Sequence, residues 1–422
     1  MTALPNRDLS IFRRVLGGSL LTALLAACAL PDAAFQNYTT ANRFSQWSGV
    51  LGALSGGNVR RAESADNRVL YNGAASMNVP TQSESINDIA RLFAGMDASF
   101  GGGATGNVRN SPAWAAHKLR MDNLWATHQS VHRAPLQSWA SSEIGDIKGA
   151  NAMFYPFSGP DFLFASALFP SAETYVMCGL EPAEPLPRMS GLSQPEIERG
   201  LAGLHNAVST IMQSGYFITT EMRSTLQATR FRGVLPLMLA FMARTGYTVE
   251  SVDTVRLDGT GSVTLSGSSG NTGLMIRCRN GFGSVKRVFY FRQDLSNGGV
   301  SAGGAFLTFV SRLGRVPAFL KSASYLMHDG GFSNIREYLL RHSSAIVQDP
   351  SGVPYRDFVR HGWDLRLYGN HRGTLGIFSG CQQPDLTAAY SSGRYPVKPL
   401  NFGIGYLINP QTTCLMVGRP RR

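Results

Sequence analysis

Acidic residues are scarce in this chain, and charge of any kind is thin: 27 Asp and Glu stand against 39 Lys and Arg, and charged residues make up only 16% of 422. The surplus of +12 is scattered, its densest runs being Arg60-Arg61, Arg277 to Arg279, Lys286-Arg287 and the tail Arg419 to Arg422. No base-reading motif accompanies them, so nucleic acid is not expected as a partner. Cysteine is nearly absent: there are five, with no Cys-x-x-Cys, which removes dithiol redox chemistry and zinc ribbons. Long apolar runs are missing too. Past the N-terminus the longest is Val234 to Ala243, ten residues, against the roughly 18 that a spanning helix needs; it reads as a buried helix. What remains is an apolar content of 43%, that of a chain with a substantial core.

The first residues carry an address. Arg7, Arg13 and Arg14 precede a short apolar stretch, Val15 to Leu24, and then Leu25-Ala26-Ala27-Cys28. A basic start, a short apolar middle and small residues before a cut are the layout of a secretory signal. The last four residues resemble the lipobox of bacterial lipoproteins; an ordinary signal with an incidental cysteine is the alternative. The resemblance implies cleavage before Cys28, acylation of that residue and anchoring in the cell envelope. Ala29, in place of the aspartate associated with inner-membrane retention, favours the outer membrane. Loss of residues 1–27 takes away three arginines and Asp8 and leaves about +10, suited to an anionic lipid or glycan surface. With Cys28 acylated, an even set remains: Cys178, Cys278, Cys381 and Cys414. In an oxidising compartment these allow three pairings. Cys381 with Cys414, both in loop-like contexts, is the disulfide expected here, and Cys178 and Cys278 read as buried thiols.

Residues 29–110 are rich in small and polar types and read partly as a tether, with a flexible stretch at 101–106. A helix is expected over 85–94, and another opens at Ser111-Pro112 and stops before Pro135. Strands are expected at 153–157 and 174–180. Ser193-Gln-Pro-Glu196 is a capping box for a helix running to Ser214 and closed by Gly215. A helix capped by Thr220 and one over 233–244 follow. Strands come next at 252–257, 262–266, 273–277 and 285–292. Helices at 304–313, 319–327 and 333–344 precede strands at 363–368, 373–378, 400–408 and 414–418. The segment 209–217 matches 324–332 at an offset of 115, which suggests a tandem duplication. The expected fold is mixed α+β in two related units: signal peptide 1–27, tether and helical segment 28–110, first unit 111–260 and second unit 261–422.

The run Phe154-Tyr-Pro-Phe-Ser-Gly-Pro-Asp-Phe162 with Gly179-Leu-Glu-Pro182, and Leu320-Lys-Ser-Ala-Ser-Tyr-Leu-Met-His328 with Gln348 to Tyr355, resemble an uncharacterised family of bacterial exported proteins. The resemblance covers about residues 150–410 and implies a shared framework, without an activity.

Several clusters could carry chemistry. Gly299-Val-Ser301-Ala-Gly303 fits the Gly-x-Ser-x-Gly nucleophile elbow, with His328 and Asp349 among its acid and base candidates. The strand before it ends too early for a sharp elbow, and a glycine-rich helix entry is the competing account. Arg360-His361-Gly362 echoes the tripeptide of histidine phosphatases, in the wrong order along the chain. His128 and His132, four apart, with His117 on the same side, have the spacing of metal ligands but lack the glutamate of a zinc protease; no metal or other cofactor is expected. Ser158, Asp161 and Glu181 sit at ends of apolar strands, where pockets form, and Lys321, Ser324, Asp349, Tyr355 and Arg356 would join them from the second unit. Ordinary turn-forming roles compete with that reading. The expectation is a non-catalytic envelope lipoprotein that binds a ligand or partner; a periplasmic serine hydrolase using Ser301 is the alternative.

Overall fold

Among the described residues eleven strands form one mixed sheet, and alternate residues of its central strands feed two separate cores. The computed structural model describes residues 85–98, 103–216, 226, 229–265, 273–393, 395–406 and 408–421. The signal peptide, Cys28, most of the expected tether and the helix after Thr220 lie outside them. The strands are β1 (Ala152–Tyr155), β2 (Thr174–Gly179), β3 (Thr248–Leu257), β4 (Val263–Leu265), β5 (Gly273–Arg279), β6 (Val285–Arg292), β7 (Ala318–Leu320), β8 (Ile346–Gln348), β9 (Trp363–Gly369), β10 (Val397–Lys398) and β11 (Cys414–Pro420). They lie in the order β10-β9-β11-β8-β7-β1-β2-β6-β5-β3-β4. The middle five, β8 to β6, are all parallel; antiparallel pairings extend the sheet on both sides, with β10 added parallel to β9 at one edge.

Parallel strands are covered on both faces and so are apolar throughout. Met153 and Tyr155 of β1 pack on one side with Tyr175 and Met177 of β2; Phe154, Val176 and Cys178 pack on the other. The first face is covered by α1 (Ile86–Phe93), α2 (Gly103–Arg109), α3 (Pro112–His128), α4 (Ala134–Glu143), α5 (Phe162–Leu168), α6 (Gln194–Ser214) and α7 (Leu235–Arg244). The second is covered by α8 (Ala305–Ser311), α9 (Ser333–His342) and α10 (Tyr355–Arg360). A last helix, α11 (Pro384–Ser391), packs with Tyr355, Leu367 and Met416.

Local signals placed the helix ends well. Ser85 and Ser111 accept hydrogen bonds from Asp88 N and Trp114 N as N-caps. The Ser193/Glu196 box opens α6, and Gly215, at φ +76°, closes it.

Tertiary packing overrode the reading elsewhere. The described part of the glycine-rich stretch, 103–106, is the start of α2, which buries Thr105 and Val108 against α6. The helix expected to stop before Pro135 continues through a five-residue π turn, Gln129–Arg133, in which Ala134 N reaches Gln129 O. The wider turn absorbs the carbonyl clash and lost donor that proline brings. The helix expected at 319–327 is instead β7 and a 3-10 turn, because Ala318–Leu320 is wholly buried in the middle of the sheet. The strand expected at 373–378 is replaced by a 3-10 turn, Gly376–Cys381, and the described residues of 400–408 form no strand longer than a single bridge at Ile404, with Gly405 at φ +71°.

Cys381 and Cys414 are not joined: all four described cysteines are free thiols. Cys414 is buried in β11 with its sulfur 3.5 Å from His371 Nδ1, while Cys381 ends the half-exposed 3-10 turn. The expected boundary between two units at 260/261 falls in the turn joining β3 to β4, which are antiparallel partners, and the described residues on its two sides belong to one compact unit. The matched segments at offset 115 differ in structure, the first ending α6 and the second forming 3-10 turns, so the match does not mark a repeated element.

Gly200 faces the buried ring of Phe231, where an added Cβ would lie 2.4 Å from ring carbons. Helix propensity favours Gly200→Ala by about 1 kcal/mol, and overpacking opposes it by about 1–3 kcal/mol. The ring is held at 0% exposure and against Phe93 at 4.7 Å, so packing wins. Urea unfolding is expected to show Gly200→Ala less stable than the parent by about 1 kcal/mol.

Candidate functional site

The chain leaves β1 for β2 and β6 on one side, then returns to lay β7 and β8 on the other. The loops after β1 and β7 therefore diverge, and in open parallel sheets such a switch point at the strands' carboxyl ends is where ligands bind. Residues singled out in the sequence collect there. Ser158 and Asp161 follow β1, Glu181 follows β2, Lys321 and Ser324 follow β7, Asp349 follows β8, and Tyr355 and Arg356 open α10.

The centre is an ion pair between Lys321 Nζ and Asp161 Oδ2 at 2.8 Å, with both side chains at 2% exposure or less. The Tyr155 hydroxyl donates to the same carboxylate oxygen at 2.9 Å, and Phe164 N donates to the other at 3.2 Å. Lys321 also donates to Gly215 O at the end of α6 and stands 4.0 Å above the Phe164 ring. Beside the pair, buried Asp349 accepts from Ser322 N at 2.9 Å and from Ser351 N at 2.9 Å. Burial pushes its carboxyl above the usual range, against the pull of the Ser351 hydroxyl, the two amides and Lys321. A Cβ on Gly405 would lie 2.1 Å from Asp349 Oδ2, so only glycine lets that segment close over the carboxylate.

The backbone of these loops is strained. Among the described residues four non-glycine residues have positive φ: Phe157 (+58°), Ser322 (+52°), Ser324 (+52°) and Tyr325 (+54°). All four lie just past β1 or β7. Each costs about 1–2 kcal/mol, and such strain concentrates at functional sites. Ser322 Oγ is buried and has no hydrogen-bond partner among the described residues. Tyr406 covers it: its hydroxyl donates to Ser322 O at 2.9 Å, accepts from Ser324 N at 3.0 Å and lies 2.7 Å from Ser324 Oγ. The Tyr406 ring packs on Tyr216 at 4.9 Å and Phe378 at 5.2 Å.

Other singled-out residues are absorbed by the fold. Ser158 Oγ accepts from Cys178 N at 3.0 Å and ties the β1 loop to the end of β2. Glu181 accepts from the Tyr290 hydroxyl at 3.0 Å. Tyr355 N donates to Gln383 Oε1 at 2.8 Å, and Arg356 is exposed. His328 packs edge-on against Tyr325 at 5.0 Å, and burial and Arg356 depress its imidazole to about 4.

No catalytic constellation forms around Ser301. It sits in an exposed turn nine residues past Arg292, with its carbonyl accepting from Gly304 N, and among the described residues it hydrogen-bonds no histidine. His361 bonds Glu337 at 3.1 Å, at the end of α10 and away from the switch point. The Cys414–His371 contact is between neutral groups, because burial raises the thiol to about 12 and depresses the imidazole to about 4; an activated thiolate would need the reverse.

His117 Nε2 donates to Phe93 O at 3.2 Å, while the rings of His128 and His132 lie 5.6 Å apart, tilted by 44°. The crevice between them and α5 has no room for a water molecule, and among the described residues no three His, Cys, Asp or Glu side chains are placed to hold a metal.

Sequence reasoning missed Ser322, Ser351, Tyr155 and Tyr406. The paired glycines of Gly403-Ile-Gly405-Tyr406 were the available signal for a close approach. Comparison with known proteins finds no matching family model, no matching curated protein and no matching solved structure.

Removing one member of a buried pair strands the other charge. Lys321→Met is expected to lower stability by about 3–5 kcal/mol, and Lys321→Met with Asp161→Leu by less than the sum of the single changes; denaturant unfolding of the four proteins measures the coupling. Burial depresses His117 to about 4 and His128 to about 3, below the ordinary 6.5. The unfolded chain therefore binds more protons than the folded one between about pH 6.5 and 4, and stability falls on acidification through that window. The slope is at most about 1.4 kcal/mol per pH unit for each histidine. Unfolding followed against pH should flatten in His117→Gln, His128→Gln double substitution.

Proposed function

We propose that this is a cell-envelope lipoprotein, acylated at Cys28 and held at the outer membrane, whose folded body binds a small hydrogen-bonding ligand at the switch point and does no chemistry on it. The observation that carries the binding reading is that, among the described residues, left-handed non-glycine backbone is confined to the loops after β1 and β7, with the Ser322 hydroxyl, which has no partner among those residues, in their midst. A merely structural turn would take glycine at such positions. The buried Asp161–Lys321 pair supports a binding rather than a reactive centre: both charges are consumed by fixed partners. In the closed form described, Tyr406 occupies the place over Ser322 and Ser324 that a ligand would take, and ligand entry exchanges its hydrogen bonds for those of the ligand.

Two measurements test this. Labelled palmitate should enter the parent chain and not Cys28→Ala. A thermal-shift panel of monosaccharides, amino acids and nucleotides should raise the parent's Tm by a few degrees for one class at saturation, with the shift lost in Ser322→Leu. Ser322→Gly loses no hydrogen bond and relieves the left-handed strain, so its own stability should equal or exceed the parent's by up to about 1 kcal/mol. A panel without any shift, or a shift intact in Ser322→Leu, would overturn the assigned place.

A further inference from the structure

The most exposed large apolar side chain among the described residues is Phe282, at 96%. It sits at the tip of the hairpin joining β5 to β6. The tip is not slack: Asn280 N donates to Ser284 O, Gly283 N to Asn280 O, and the Asn280 side chain accepts from Phe282 N and Ser284 N. A built turn thus presents an aromatic ring to solvent. Arginines flank it. Arg277 and Arg279 are exposed on β5 and share the single carboxylate of Glu250. Arg287, exposed on β6, lies directly across from Arg277 with no ion pair among the described residues.

The hairpin belongs to a wider basic end. β6 runs parallel to β1 and β2, so the tip lies at the amino ends of the strands. Helices returning the chain to that end finish there, α9 with Arg341 and α10 with Arg360 beside the 56%-exposed Val359. Arginine at a helix C-terminus also serves the helix dipole, and a lone exposed apolar side chain is common. Arg341 and Arg360 pair with Glu337 and Asp357 on their own helices, but a rigid aromatic tip beside two arginines that share one carboxylate and a third, Arg287, without an ion pair among the described residues is less easily absorbed by the fold. A protein partner would call for a clustered, pocketed apolar patch; a bilayer needs only a wedge at the interface and diffuse cations above it.

We propose that the β5–β6 hairpin docks the folded body on an anionic bilayer surface, with Phe282 inserted at the headgroup boundary and Arg277, Arg279 and Arg287 among the headgroups. The described chain enters at the same end, where Asn87 accepts from Val249 N, opposite Cys278. Docked this way, the switch-point crevice at the strands' carboxyl ends faces away from the membrane. The proposal rests neither on that crevice nor on acylation.

The test uses the full chain with Cys28→Ser in every arm, so that acylation is excluded and the apolar N-terminal segment is common to all. Partition into phosphatidylcholine vesicles containing phosphatidylglycerol is measured by sedimentation. Phe282→Ser is expected to weaken it about tenfold and Arg287→Gln about fivefold, both with unchanged circular dichroism. Phe282→Trp should shift its emission to the blue on vesicle addition and be quenched by brominated lipids beyond the parent's tryptophans. Partition unchanged in Phe282→Ser, or no added quenching in Phe282→Trp, would overturn the proposal. So would loss of a specific host protein on Phe282→Ser with vesicle binding intact, which would give the hairpin to a protein partner.

Discussion

The arrangement at the carboxyl ends of the strands depends on one buried ion pair. Taking Asp161 and Lys321 out of water carries a desolvation penalty of several kcal/mol per ion, and Coulomb attraction alone does not offset it. The remaining lone pairs and protons must find partners, and each partner found is a separate piece of the fold: Tyr155 from β1, Phe164 N from α5, Gly215 O from α6. The pair therefore fixes where three elements meet. It also fixes the exit of β7, since Lys321 is the first residue past that strand. With Lys321 turned inward to Asp161, Ser322 N is directed to Asp349, and the backbone at 322 takes a left-handed conformation that serine does not favour.

That strain distinguishes the loop after β7 from an ordinary turn. A chain free to vary could have placed glycine at 322, 324 and 325, as it does at Gly405 on the opposing segment. Side chains are kept instead, and two of them meet a cover made of Tyr406, Tyr216 and Phe378: Ser324 Oγ lies against the Tyr406 hydroxyl and Tyr325 against the Phe378 ring. The cover is held by hydrogen bonds from one hydroxyl and by ring contacts, not by charge. Such contacts can be exchanged for a ligand's own hydroxyls at little net loss, because protein hydrogen bonds to neutral groups contribute only about 1 kcal/mol each. The ion pair beneath is rigid and the cover above is exchangeable.

How much of this was legible in the sequence follows from the range of each interaction. Ser85, Ser111 and the Ser193/Glu196 box act within three residues of themselves, so the helix starts could be read directly. Strands β7 and β8, three residues each, are shorter than any period that could announce them, and the apolar run at 318–320 was drawn into a neighbouring helix pattern. Polar residues ending apolar runs did mark the centre: Asp161, Lys321 and Asp349 could be named because a charge after a buried strand has few places to go. Ser322 could not, since nothing in Lys-Ser-Ala-Ser encodes a positive φ. Nor could Tyr406, whose partner Ser324 is 82 residues away. The disulfide expected from even counting failed for the same reason. Cys414 is committed to a strand interior beside His371 and Tyr390, and loop-like flanks said nothing of distance.

A parallel sheet has two unlike ends, and this chain uses the difference. Strand carboxyl ends are where loops diverge and where buried polar groups can be held by several elements at once. Strand amino ends receive the C-termini of the covering helices, whose partial negative charge favours arginine. The two demands bias the molecule's polar chemistry: buried acids and hydroxyls are satisfied inside one end, while at the other the acids sit on the surface in ion pairs with arginine, as Glu250, Glu337 and Asp364 do. A chain short of acidic residues, 27 among 422, accentuates this, because carboxylates spent in the centre are not available to neutralise the rim. Asp161, Asp349 and Glu181 are all buried at the carboxyl ends, while Arg277 and Arg279 share one Glu250. The basic end is thus a consequence of where the fold places its few acids, and an aromatic ring held out from that end by a rigid turn gives the charge something to act with.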